Sequence, residues 1–245
     1  MHLALVSVAT VLGAAAGLLV PRAAFRLSVP AGEPWRNTCP SGHPLHGVAS
    51  GWLGPASCRQ VPDCGRFGSA TAAALGSAAA SGALAAAIGW RPELLVWLAL
   101  VPVASLLTSV DWRVHRLPDV ITLPAAAGTL TLLAAAAQIP HHQGSFSTAG
   151  LGAVALATTF LLLFAIHPAG MGLGDGKTAL MAGAAMGWYG WPALVIGALC
   201  AFTLGSAYGL ALLLMRRADR RTAMPFGPML LCGTLLGILW GTTNS

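Results

Sequence analysis

The chain has 245 residues, of which 56% are hydrophobic and 8% are charged, and its net charge is +6. Soluble domains carry about 25% charged residues, so this composition excludes a water-soluble globular domain. Apolar runs of bilayer length recur along the chain. They are rich in Ala, Leu and Gly and lack period-two alternation, which predicts helices rather than barrel strands. We therefore expect an all-α polytopic integral membrane protein.

About eight transmembrane helices are predicted. In chain order they lie at residues 2–20, 69–89, 93–110, 120–138, 149–167, 177–190, 193–215 and 227–242. The first resembles a signal peptide in length, but no basic segment precedes it, and Pro21-Arg22 stands where small residues would mark a cleavage site. We interpret it as a retained span. The sixth is short and contains Gly183 and Gly187.

The basic residues predict the orientation, because cytoplasmic loops hold most of the Lys and Arg of a membrane protein. If the loop after the first span is cytoplasmic, every Lys and Arg except Arg91 falls on that side. Both termini are then expected outside, and the protein is expected in the inner (plasma) membrane. Topology and contact with anionic membrane lipids account for the positive charge, so no nucleic-acid partner is predicted.

Three segments are expected: a first transmembrane helix at 1–20, a cytoplasmic loop at 21–68 and a seven-helix membrane core at 69–245. The loop is too short to form an independent hydrophobic core and would need another source of stability, such as a bound metal ion. It contains Cys39, His43, Cys58 and Cys64, a donor set that fits tetrahedral zinc. Free cysteines in a small ordered loop are the alternative, whereas a disulfide is disfavoured in the reducing cytoplasm. The spacing leaves zinc and free cysteines both open.

Two of the seven acidic residues are predicted to lie at the cytoplasmic edge of the bilayer. Asp111 ends the third span in DWRVHRLPDVITLP (111–124), and Asp175 begins the sixth in GMGLGDGK (170–177). Two carboxylates that meet at low dielectric cannot both ionise easily, so such a pair can share a proton and act as acid and base on a peptide bond. For each aspartate alone, an interfacial or helix-start role is the competing interpretation.

These residues resemble the type IV prepilin leader peptidases, a family of membrane aspartic proteases. DWRVHRLPDVITLP looks like the family's first aspartate followed by Pro-Asp and Leu/Ile-Thr-Leu-Pro. GMGLGDGK looks like its Gly-x-Gly-Asp-x-Lys signature, and PFGP (225–228) resembles its entry to the last span. The resemblance covers roughly residues 100–245, and the family's eight-span layout agrees with the layout read from hydropathy and charge.

The resemblance implies an aspartic endopeptidase with Asp111 and Asp175 as its catalytic pair and no cofactor required for cleavage. The implied substrates are prepilin or pseudopilin precursors whose short basic leader is removed on the cytoplasmic side, and pilus or secretion assembly components are implied as further partners. Lys177 is expected to bias Asp175 toward ionisation. Asp119 is expected as the N-cap of the fourth span or as a support of the site. The full set of site-supporting candidates is Asp119, Gly172, Gly174, Lys177, Pro225 and Gly227.

The loop departs from the family's pattern of two Cys-x-x-Cys pairs. CPSGHPL (39–45) keeps Cys39 but has Gly42 at the second position, followed by His43, and the later pair is stretched to Cys58 and Cys64. Many family members also methylate the new N-terminus. Because the pairs are incomplete here, we do not assign that activity.

Two other functions compete with the peptidase. A small proton- or cation-coupled permease would use Asp111 and Asp175 as a relay or ligands. Against it, both acids are expected at one face, whereas transport sites lie near the midplane, often between repeats. An inactive scaffold for a secretion or pilus assembly is the third interpretation, and the intact aspartate pair argues against it.

Overall fold

The structure is a computed structural model that describes residues 1–30, 32–58, 64, 67–166, 172–216 and 225–244. The first two residues of GMGLGDGK lie outside the described residues. So do five of the basic residues used for the predicted orientation, which are Arg59, Arg66, Arg217, Arg220 and Arg221.

α-Helices form the framework of the described chain, and each predicted span corresponds to one helix of at least 15 residues. A further single turn, α2, lies in the loop after the first helix. The helices are α1 (His2–Leu27), α2 (Val48–Gly51), α3 (Ala70–Ile88), α4 (Glu93–Val114), α5 (Asp119–Ala136), α6 (Phe146–Ile166), α7 (Leu173–Gly187), α8 (Trp191–Leu214) and α9 (Gly227–Asn244).

Six of these helices, α1, α3, α4, α5, α6 and α8, are long and apolar enough to cross a membrane. The all-α, polytopic membrane architecture is therefore confirmed. Helix α7 has only 15 residues, and membrane crossing by α7 and α9 stays a prediction, as does the outside location of both termini.

The chain packs as two compact units. The first consists of Met1–Gly89 and Trp97–Val114, and the second of Trp90–Val96 and His115–Ser245. Helix α4 thus begins in the second unit and runs on into the first. Each unit is described by itself below.

In the first unit α1 packs against α3. A side chain at Gly17 would lie 2.5 Å from the carbonyl oxygen of Ala73, so the helices approach through backbone. Helix α1 runs to Leu27, beyond the predicted end at residue 20. Pro21 interrupts its hydrogen-bond ladder, and the loop supplies replacements: Gly54 donates to the Leu19 carbonyl at 2.9 Å and accepts from the Arg22 amide at 3.1 Å. The helix therefore continues past its proline.

In the second unit α7 is the central helix, because it packs against α5, α6, α8 and α9. Between α6 and α7 a side chain at Gly152 would lie 2.6 Å from the Gly183 carbonyl oxygen. Phe160, Met186 and Leu230 fill the core around this contact. Neighbouring helices cover α7 along most of its length. Because most of α7 contacts protein rather than lipid, it can be short and can consist of small residues without large apolar side chains.

Candidate functional site

Asp111 lies in the last turn of α4, in the first unit. The helix extends four residues past the predicted end of the span at residue 110, so Asp111 is inside the helix. Its side chain is only 3% exposed. The helix ends where His115 adopts the left-handed conformation, with φ of 50°. Asp111 is therefore buried although it lies in the terminal turn of the helix.

Asp175 lies in the first turn of α7, in the second unit, and is 8% exposed. The predicted start at residue 177 was wrong, because the helix begins at Leu173. Gly172 precedes it in an extended conformation, and its amide donates to Oδ2 of Asp175 at 3.1 Å. The carboxylate thus satisfies a free amide at the helix start, where the helix dipole also favours negative charge. Asp175 has the helix-start role that was its competing interpretation, and it is buried as well.

The first turn of α7 rests against the residues that precede and open α5. A side chain at Gly174 would lie 3.0 Å from Cβ of Leu117 and 3.3 Å from its carbonyl oxygen. Two residues beyond Leu117 and three beyond Gly174, Nζ of Lys177 lies 2.6 Å from Oδ2 of Asp119. Backbone approach at glycine and an ion pair therefore join these two helix starts.

The structure changes what was expected of Asp119 as an N-cap and of Lys177 as a partner of Asp175. Asp119 is not the N-cap of α5: Pro118 occupies that position, and no side chain makes a capping bond there. Asp119 is instead the first helical residue and pairs with Lys177, which we had expected to act on Asp175.

The PFGP segment enters α9 as predicted. Gly227 is the first residue of that helix, and Pro225 is buried just before it. Phe226, between them, packs its ring 5.6 Å from the ring of Phe160 and 5.3 Å from that of Phe202. The segment is thus anchored to the core of the second unit by an aromatic side chain.

The cysteines and histidine of the loop come together in the first unit. The Sγ atoms of Cys39, Cys58 and Cys64 and a ring nitrogen of His43 all lie within 4.8 Å of one another. The sequence spacing left this grouping open, and the structure shows a cluster that could hold a metal ion.

The local fold explains why His43 occupies the place of a cysteine. Gly42 has φ of 85°, a conformation that glycine adopts without strain, and its amide donates to the Cys39 carbonyl at 2.9 Å. The amide of Cys39 in turn donates to the His43 carbonyl at 2.8 Å. This tight turn brings the His43 ring back over the Cys39 sulfur.

The distances from His43 bracket those expected around a tetrahedral ion. Nδ1 of His43 lies 3.5 Å from Sγ of Cys39, 3.1 Å from Sγ of Cys64 and 3.9 Å from Sγ of Cys58. Around zinc, with Zn–S of ~2.3 Å and Zn–N of ~2.0 Å, ligand atoms stand roughly 3.5–3.8 Å apart. Three sulfurs and one nitrogen at this spacing form a zinc-type donor set.

The thiols of the cluster differ in acidity. Burial raises the pKa of Cys39, but hydrogen bonds from the backbone of His43 and Ser41 and from the His43 ring outweigh it, so the pKa is lowered. At Cys64 a hydrogen bond with the Ser41 side chain lowers the pKa, but burial and the neighbouring Cys58 and Cys39 raise it further than that. Crowded thiols hinder each other's ionisation, and a bound cation would relieve this.

Two arginines at the end of α1 hold the loop, a role that the sequence analysis missed. Arg22 and Arg26 are each 7% exposed. Arg22 donates to the carbonyls of His46 at 2.8 Å and Ser57 at 3.3 Å. Arg26 donates to the Ser50 carbonyl at 3.1 Å and to the Asn37 side chain. Their i, i+4 spacing at the end of an apolar helix was the available signal, since it places both on one helix face.

Buried aspartates thus lie near two helix termini, one of them in a Gly-x-Gly-Asp sequence. In a comparison with known proteins, residues 98–210 match the model of the type IV leader peptidase family. The matched part of the chain contains both aspartates.

The curated relatives are similar over a longer stretch. The chain is 32% identical over 167 residues to a prepilin leader peptidase/N-methyltransferase of Aeromonas hydrophila, covering 65% of this chain and 53% of the relative. It is 33% identical over 163 residues to one of Pseudomonas putida, covering 64% and 55%. The chain thus spans about half the length of these relatives. No solved structure matches it significantly.

Proposed function

We propose that this protein is a membrane aspartic endopeptidase that removes the short basic leader from type IV prepilin-like precursors. Cleavage would take place on the cytoplasmic side of the inner membrane, because the distribution of basic residues predicts that side for both aspartates. The observation that carries the proposal is the burial of Asp111 and Asp175, at 3% and 8% exposure, within the segment that matches the leader peptidase family.

In the proposed mechanism Asp111 and Asp175 act as one catalytic pair, with one carboxyl protonated and the other ionised. The ionised carboxylate takes a proton from water as the water attacks the scissile carbonyl carbon, while the protonated carboxyl donates to the carbonyl oxygen. Asp175 is the better candidate for the ionised member, because its Oδ2 accepts a backbone amide at a helix N-terminus. Asp111 is then the member that carries the proton.

The remaining motif residues position this pair. Gly172 supplies the amide to Asp175, Gly174 lets the first turn of α7 approach Leu117, and the Lys177–Asp119 ion pair fixes the same turn to α5. Pro225 and Gly227 set the entry to α9. These residues act on geometry, and the proton transfers belong to the aspartates.

The Cys39, His43, Cys58 and Cys64 cluster is proposed to hold a structural zinc ion. The donor types and their spacing support this assignment. The ion would stabilise a loop that has little apolar core of its own. Hydrolysis itself would require no cofactor.

The first test is co-expression with a tagged prepilin that carries a basic leader, with the mass shift read on a gel. Wild type should remove the leader, and the Asp111→Asn and Asp175→Asn variants should not, at equal membrane levels. An absence of processing by wild type, across several precursors from the same genome, would refute the peptidase and favour the permease.

A further inference from the structure

Arg113 ties the end of α4 to the loop that carries the Cys/His cluster. It follows Asp111 by two residues, and its Nη2 donates to the carbonyl oxygen of Phe67 at 3.3 Å. Gly68 lies beneath the guanidinium: a side chain there would stand 3.2 Å from Arg113 Nη2 and 2.7 Å from Cβ of Ala56. The guanidinium therefore rests directly on backbone of the loop.

Phe67 is in turn held by the packing around the cluster. It follows the cluster residue Cys64 by three positions, and its amide donates to the Ala56 carbonyl at 2.9 Å. Its ring lies 4.4 Å from the ring of Phe25. Phe25 forms a small core with Cys39 and Leu45, and Cys58, Cys64 and Phe67 pack against that core. Three of the four cluster residues thus contact the packing that places the Phe67 carbonyl.

We propose that Arg113 is a positioning residue through which the Cys/His cluster fixes the last turn of α4, and with it Asp111. The inference rests on the proposed peptidase function. The last turn of a helix has no intrahelical partners for its carbonyls and frays readily. Asp111 lies within that turn, so an external anchor on Arg113 restrains it.

Metal binding strengthens this anchor. Without a cation, only weak thiol–imidazole hydrogen bonds join His43 to the cysteines, and the surrounding loop is too small to keep its shape by apolar burial. With the ion bound, Cys64 is held in place and the Phe67 carbonyl stays within reach of Arg113. Coupling of this kind is reciprocal. Loss of the Arg113 contact must then weaken metal binding by the same factor by which the metal strengthens the contact.

The first test is a zinc titration of the purified full-length chain in detergent against a competing chelator. Arg113→Met keeps the aliphatic length and removes the donor, and it should bind zinc about fivefold to tenfold more weakly, in the usual range of coupling between sites. Arg113→Lys keeps a donor and should restore most of the affinity. Equal zinc affinity in Arg113→Met and wild type would overturn the proposal.

Arg36 offers a matched control. It also lies on the aromatic pair, with its guanidinium 4.8 Å from the Phe25 ring and a hydrogen bond of 3.4 Å to the Phe25 carbonyl. Arg36 lies in the loop rather than on α4, and its positive charge repels that of Arg113. Arg36→Met should therefore leave amide hydrogen exchange in residues 108–114 unchanged or slower, whereas Arg113→Met should accelerate it. The same acceleration in both variants would indicate general loosening of the loop and would count against a specific role for Arg113.

The second test is kinetic and uses a prepilin substrate. Arg113→Met should lower kcat about tenfold, which corresponds to ~1.4 kcal/mol of lost transition-state stabilisation, and should leave KM unchanged. Chelation should lower kcat of wild type and have little further effect on Arg113→Met. A raised KM with unchanged kcat would place Arg113 against the substrate and refute the positioning role.

The two tests separate this inference from the proposed function. The zinc titration needs no substrate. A chain that cleaves no precursor yet loses zinc affinity in Arg113→Met refutes the peptidase alone. A chain that cleaves precursors and binds zinc equally with and without Arg113 refutes the positioning role alone.

Discussion

The ammonium group of Lys177 lies 2.6 Å from Oδ2 of Asp119, a residue that is 58 positions away in sequence and opens a different helix. The pair joins the first turn of α7, which carries Asp175, to the first turn of α5. The Gly-x-Gly-Asp-x-Lys and Pro-Asp motifs therefore meet in space. The lysine of the first motif (Lys177) forms an ion pair with the aspartate of the second (Asp119). The two motifs thus provide a contact between two helix starts.

We predict that charge exchange at this pair rescues loss of either charge. Lys177 is 34% exposed and Asp119 is 59% exposed, so the pair should contribute less than about 1 kcal/mol to stability. Lys177→Asp and Asp119→Lys should each lower leader removal, because like charges push the two helix starts apart. The double variant should recover most of the loss in the same prepilin cleavage assay.

Thermal unfolding of the same variants is the control. Single variants that lose activity through unfolding would show a large drop in Tm, which so exposed a pair does not predict. A double variant no more active than the weaker single variant would refute the ion-pair role.

For the aspartates we predict that Asp175→Asn abolishes cleavage while the helix start stays intact. Asparagine keeps an oxygen that can accept the Gly172 amide, so the N-terminal bond of α7 can persist. It cannot take a proton from water. Single-turnover cleavage should fall by at least the ~10²–10⁴-fold typical of lost acid–base catalysis.

The two aspartates should also act as one unit. Asp111→Asn combined with Asp175→Asn should be no worse than either alone, because groups that act together lose their contribution together. Multiplied losses in the double variant would contradict a shared mechanism, and cleavage by either single variant would remove that residue from it.

Gly174 and Gly176 allow a matched test of the close approach at the start of α7. A side chain at Gly174 would stand 3.0 Å from Cβ of Leu117, whereas one at Gly176 would make an ordinary contact of 3.5 Å with Leu161. Both alanine variants gain about 1 kcal/mol of helix propensity. Gly174→Ala should still lower kcat, about tenfold, because small misplacements of a catalytic group are costly. Gly176→Ala should cleave at close to the wild-type rate, and equal losses in both would refute the argument.

The long helices could be predicted from sequence because lipid-facing segments must be apolar over a bilayer's thickness. The predicted span at 149–167, for example, corresponds to α6 at Phe146–Ile166. The helix with Asp175 was predicted too late, from residue 177, because glycines at 174 and 176 suggested a turn. Helix α7 tolerates them because Asp175 satisfies an amide at its start and neighbouring helices cover the rest.

The loop shows where sequence alone could not decide. Cys39, His43, Cys58 and Cys64 were recognised by type, but only the left-handed turn at Gly42 brings His43 to the sulfur of Cys39. The basic residues were explained by topology and lipid. The structure shows that Arg22 and Arg26 are buried against loop carbonyls. Such long-range carbonyl contacts leave no periodic signal in a sequence.

For the loop we predict about one equivalent of zinc per purified chain, measured by elemental analysis after dialysis. Cys58→Ser should lose most of it, because a hydroxyl is a poor replacement for a thiolate ligand. Cys200→Ser is the matched control, since Cys200 lies on α8 outside the cluster, and it should retain the metal. Metal-free wild type would leave the cysteines as free thiols and refute the zinc site.

The packing of α6 on α7 gives a stability prediction with a control on the same helix. A side chain at Gly152 would stand 2.6 Å from the Gly183 carbonyl oxygen and 2.9 Å from Cα of Gly187, whereas one at Gly150 would meet nothing within 4 Å. Backbone cannot yield as a flexible side chain would, so Gly152→Ala should force the helices apart and destabilise the protein by about 1–3 kcal/mol. Gly150→Ala should be neutral or stabilising, because alanine is the better helix former. Thermal unfolding in detergent checks both. Equal Tm values would mean that α6 and α7 do not depend on this close approach, whereas a lower Tm for Gly152→Ala alone would show that their glycines set the distance between them.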